Sequence, residues 1–67
     1  MVGQVTEFDD AVGLGIVTAD AGMAYPFHCT QIADGTRTIT VGTAVDFELV
    51  ARFGRYEATA IVPVTAP

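Results

Sequence analysis

The sequence contains no lysine and no tryptophan, only two leucines, and three cations in all, Arg37, Arg52 and Arg55. Eight acidic side chains against those three give a formal net charge of −5. That balance excludes a broad basic surface neutralising many phosphates at once, the footprint of tight and steeply salt-dependent nucleic-acid binding. The single cysteine, Cys29, excludes an internal disulfide framework and makes a reduced thiol in a cytosolic setting the simplest expectation. No basic segment followed by an apolar run opens the sequence, and the apolar stretches fall far short of the roughly 18 residues needed to span a bilayer. A soluble, cytoplasmic protein that uses no membrane is expected. At 67 residues the chain fits one domain, and a domain of this size buries only about 60% of its unfolded surface. A deep substrate cavity is not expected, which argues against an enzyme.

What the chain does have is β-formers: valine, isoleucine and threonine supply 22 of its 67 residues. These side chains fit a pleated surface and disfavour helix, so the fold class is expected to be all-β. Glycine and acidic turn residues cut the chain at intervals of about 8 to 12 residues, the rhythm of a small barrel or sandwich. Five strands fit. The first runs from about Gly3 to Phe8 and stops at Asp9-Asp10-Ala11, where a short carboxylate can bond back to its own backbone. The second covers Gly13 to Thr18, its two glycines read as bends that let the sheet curl. Ala19-Asp20-Ala21-Gly22 turns into a third, Met23 to His28, in which Pro26 has no N–H to donate and must face an edge or bulge.

Cys29 to Ile32 suits one turn of 3₁₀-helix, residues 33–38 form a loop, and Val41-Gly42 turns the chain again. The fourth strand carries the cleanest pattern, with Val45, Phe47 and Leu49 alternating with Asp46 and Glu48 to give one apolar and one acidic face. Phe53-Gly54-Arg55 supplies the next turn. Tyr56 to about Val62 forms the fifth strand, and residues 63–67 are expected to be a frayed tail.

Gly3-x-Val5, Phe8-Asp9, Gly13-x-Gly15-Ile16-Val17, Phe27-His28-x-Thr30-x-Ile32 and Gly42-x-x-Val45-x-Phe47 follow one another in an order and spacing that resembles the bacterial cold-shock domain. The resemblance covers about Gly3 to Val62, with the whole chain, 1–67, as a single such domain. It implies a five-stranded antiparallel OB-fold, a Greek-key barrel with a short 3₁₀ turn after the third strand. It also implies non-catalytic binding of single-stranded RNA or DNA, whose bases stack on exposed aromatic rings of strands two and three at roughly 1–3 kcal/mol each.

This chain departs from the family at those rings. The first family motif, similar to Lys-Gly-Phe-Gly-Phe-Ile, reads Val12-Gly13-Leu14-Gly15-Ile16-Val17, with lysine and both phenylalanines replaced by aliphatic residues. The second, similar to Val-Phe-Val-His-Phe, reads Tyr25-Pro26-Phe27-His28-Cys29, which keeps the histidine but puts Pro26 and Cys29 at the stacking positions. By alternation Phe27 and Tyr25 belong to the barrel interior. Glu7 stands where the family has an exposed tryptophan, and a carboxylate there repels phosphate.

Two readings follow. In one, weak binding of single-stranded nucleic acid survives through His28 and Phe8 together with Arg37, Arg52, Phe53, Arg55 and Tyr56 around the rim, the last four being the one place where cations and aromatics interleave. The alternative is a protein-interaction module in which Leu14, Ile16, Pro26 and Cys29, flanked by Glu7, form an aliphatic patch in place of the platform. The bland counterparts are a ligand-free, strand-end His28 and a half-buried Phe8. His28-Cys29 is not expected to be a catalytic pair, because strand neighbours point to opposite faces and no third orienting group is evident. The aspartates match no calcium loop, one histidine and one cysteine make no metal site, and no Lys-Ser/Thr follows the glycines as a phosphate loop requires. No cofactor is expected.

Overall fold

The computed structural model describes residues 1–33, 35 and 38–64. Five antiparallel strands, β1 (Val2–Asp9), β2 (Leu14–Ala19), β3 (Ala24–His28), β4 (Ala44–Arg52) and β5 (Arg55–Pro63), form one sheet in the order β3-β2-β1-β4-β5, with a 3₁₀ turn, Cys29–Gln31, after β3. Three hairpin-connected strands with the fourth returning beside the first make a Greek key. The ladder does not close into a continuous barrel. β3 and β5 are its two edges and pack against each other, and the segment after the 3₁₀ turn joins β5 through an isolated parallel bridge, Ile32 to Ile61. The all-β, OB-like architecture expected from the sequence is thus present in a partly open form.

The core is what alternation dictates. Val5, Val17, Phe27, Ile32, Val45, Phe47 and Ile61 are fully buried, while Asp46 and Glu48 point outward from β4. Tyr25, half-buried, meets the Phe47 ring at 6.1 Å between centroids, as its inward position requires. Asp9 ends β1 as its side chain suggested: its Oδ1 accepts the Ala11 N–H at 3.0 Å. Pro26 sits on the edge strand β3, where its missing donor costs no ladder bond to an outer neighbour.

The glycines act differently from the expectation of strand bends. Gly15 is a point of close approach, since a Cβ there would lie 2.5 Å from the Phe27 ring and 2.7 Å from the Glu7 carbonyl oxygen. Gly13 precedes β2 in a left-handed turn at φ 71°. The irregularity that curls this part of the sheet lies instead on β1, where the register slips between Val5 and Glu7 against β2. The chain end also differs from a tail frayed from residue 63. Pro63 pairs with Val45, and the Val64 N–H donates to the Ala44 carbonyl at 2.8 Å; residues 65–67 lie outside the described residues.

Candidate nucleic-acid interface

The hairpin joining β4 to β5 is as tight as a hairpin can be. Arg52 pairs directly with Arg55, leaving Phe53 and Gly54 as a two-residue loop with φ of 49° and 80°. Two successive positive φ values are those of a type I′ turn, which matches strand twist and for which Asn-Gly is the favoured pair. Gly54 suits its place. Phe53 does not, because a Cβ in left-handed backbone costs roughly 1–2 kcal/mol and its ring packs on nothing: relative exposure is 102%. Directly paired residues share a face, so Arg52 and Arg55 stand side by side at the base of the loop, and alternation turns Tyr56, which is 59% exposed, to the other face.

The tertiary fold brings this tip to the end of β3. Arg52, Phe53 and Glu57 line a cleft with His28, Thr30 and Gln31, uniting the sequence candidate His28 with Arg52 and Phe53, 24 and 25 positions further along the chain. His28 is exposed and held in place as the cap of the 3₁₀ turn, its Nδ1 accepting the Thr30 N–H at 3.3 Å with the Thr30 hydroxyl at 3.0 Å. Accepting at Nδ1 leaves Nε2 to carry the proton of the neutral ring, a donor for a phosphate or a base edge. Arg52 Nε meets Glu57 Oε1 at 3.7 Å, both side chains substantially solvated. Such a pair holds its arginine only weakly.

A second depression lies on the outer face of β1, β2 and β3, a shallow trough of about 620 Å³ lined by Val12, Leu14, Ile16 and Pro26, with Glu7 and Asp9 at its edge and Val41 at its end. Ile16 pairs with Pro26, and Leu14 with His28, so the aliphatic side chains occupy adjacent registers. Phe8 belongs here and not with His28: it lines the trough, half-buried, its ring stacked on Phe27 at 5.9 Å and 9°. Cys29 is absent from the trough. It begins the 3₁₀ turn, packs half-buried against the core, and would crowd a Cβ on Gly13 at 2.8 Å. For the same reason its Sγ approaches His28 Nδ1 to 3.8 Å, so the two side chains do not diverge as strand neighbours would. Arg37 lies outside the described residues.

The feature that sequence reading could have seen and did not is the turn type. Arg-Phe-Gly-Arg between two alternating runs is a two-residue hairpin signal in which phenylalanine replaces the favoured asparagine.

In comparison with known proteins, a family profile described as the 'Cold-shock' DNA-binding domain matches residues 1–64. No curated protein matches the chain significantly.

Proposed function

The chain belongs to the cold-shock DNA-binding domain family, and from that membership we propose that it binds single-stranded RNA or DNA weakly, without catalysing a reaction. One observation carries the reading. Phe53 stands fully exposed in left-handed backbone beside Arg52 and Arg55, in a cleft shared with His28. Backbone strain kept for a ring that packs on nothing in its own chain points to a ring that serves a ligand. A base has a π face for Phe53, its phosphates meet the two arginines, and His28 Nε2 supplies a directed hydrogen bond.

Weakness follows from what is gone. Leu14, Ile16 and Pro26 offer no π surface, each lost stack removing roughly 1–3 kcal/mol, and Glu7 and Asp9 repel phosphate along the same face. The nucleic-acid site is therefore a rim site, with Tyr56 as its outlying member and Phe8 as a contact only for a strand that continues onto the sheet.

The test is fluorescence anisotropy of a labelled, mixed-sequence single-stranded oligonucleotide across a salt series. Two or three phosphate contacts predict a slope of log K against log salt of about −1.4 to −2.1 for a single strand. Reversing Arg52 and Arg55 to glutamate abolishes binding at low salt. Phe53→Asn keeps the slope and lowers affinity at least tenfold, which is one stack of about 1.4 kcal/mol. Absence of binding by the folded protein at low salt sinks the reading.

A further inference from the structure

Two exposed apolar features of opposite charge remain unpartnered. One is the trough, in which Val12, Leu14 and Val41 are each more than half exposed and whose charged lining residues, among the described residues, are Glu7 and Asp9. The other is the hairpin tip, an aromatic ring exposed on all sides between two arginines. They are ends of one continuous band. The trough shares Leu14 and Pro26 with a middle depression, and that depression shares His28 and Glu57 with the cleft at the tip.

We propose that a second copy of this chain covers the band, the Phe53 tip of each molecule seated in the aliphatic trough of the other. A twofold axis lying across the middle of the band, near His28, exchanges its two ends. Both tips and both troughs are then filled by one rotation, and the assembly closes as a dimer instead of extending into a filament. Phe53 fills the aliphatic trough while Arg52 and Arg55 meet Glu7 and Asp9 at its edge. The complementarity also says what does not fill the trough: a polyanion is repelled by its two carboxylates, and a strand added at the β3 edge meets Pro26, which has no N–H to donate. Tip-into-trough contacts from a chain of 67 residues fall at the small end of specific interfaces, below about 1,200 Å², so the dimer is a transient one.

This pairing does not require that nucleic acid binds, yet it uses the same Phe53 and Arg52. A bound oligonucleotide and a second copy therefore compete for the tip. Glu7 separates the two, because changing it to lysine opposes the partner's arginines but welcomes phosphate.

Sedimentation equilibrium at low salt tests the proposal. The apparent mass is expected to rise from 7.0 kDa toward twice that value between roughly 10 μM and 1 mM, the range of a transient interface, and the rise to diminish with added salt. Leu14→Asp, at a position 52% exposed, holds the protein monomeric, and its carboxylate, opposite His28, also lowers oligonucleotide affinity, whereas Leu14→Ser weakens self-association without adding a charge. Phe53→Asn, which the turn accepts, also holds it monomeric. Glu7→Lys lowers self-association and raises oligonucleotide affinity. A wild-type protein that stays at 7.0 kDa up to about 1 mM overturns the proposal, and so does association that survives Leu14→Asp or Phe53→Asn, which would place the contact elsewhere.

Discussion

Gly15 and Phe27 make a close residue-level fit, a Cβ at Gly15 lying 2.5 Å from the ring. The hydrogen of Gly15 leaves room for the Phe27 ring against β2, and the same ring stacks on Phe8, Gly15's partner on β1. Gly15→Ala therefore forces either the ring or the β1 backbone at Glu7 to move, with a loss of about 1–3 kcal/mol. Urea denaturation checks this: the midpoint is expected to fall without a change in slope. Phenylalanine at position 27 and glycine at 15 are both visible in the sequence, but that they answer one another was not. A strand glycine signals bend, bulge or close approach alike, and only the cross-strand register, Gly15 opposite Phe27, decides among them. His28 gives a similar case. Its identity as a candidate was legible, while its fixed ring, capped onto Thr30, depends on the 3₁₀ turn that follows.

At the scale of elements, the β4–β5 hairpin shows stability and function in opposition. Asparagine tolerates left-handed backbone and leads type I′ loops, so Phe53→Asn is expected to raise stability by about 1 kcal/mol, or a Tm gain of roughly 4–8 °C for a domain of this size. Differential scanning calorimetry measures it. A more stable variant that has lost oligonucleotide binding would separate the ring's contribution to binding from any contribution to the fold; an unchanged or lower Tm would mean that the Phe53 conformation is not strained. The β4 strand itself was the most legible element, because alternation of Val45, Phe47 and Leu49 with carboxylates has a single reading. The structure extends it to Arg52 and half-buries Leu49 where the strand leaves the core. The position of Cys29 was not legible. Alternation counts placed it outward, and the change from strand to 3₁₀ geometry at that residue turned it toward the core.

For the whole molecule, the margin is small. A core of this size supplies about 3–5 kcal/mol of net stability, and truncating one buried aromatic costs about 3–5 kcal/mol. Phe47→Ala, removing a ring that is 1% exposed and in contact with Tyr25, is accordingly expected to leave the chain largely unfolded at 25 °C. Loss of amide dispersion in a two-dimensional NMR spectrum reads this directly, and a folded, dispersed spectrum would show that the core is more redundant than its size implies. The open seam between β3 and β5 belongs to the same economy of size, since Pro26 and the bulged β5, where Ala60 takes φ 51°, interrupt the donors a closed ladder would need.

The amino-acid sequence alone determined the all-β class, the number of strands, the buried face of β4 and the 3₁₀ turn. Each of these follows from local periodicity, turn chemistry or residue type, which act within a few positions along the chain. Only the tertiary structure decided that His28 and the Arg52-Phe53 tip form one cleft, that Phe8 belongs to the aliphatic trough, that Cys29 lies apart from it, and that the sheet stays open. Those outcomes depend on register between strands distant in sequence, where a shift of one residue reverses every side chain, and local pattern leaves that register free.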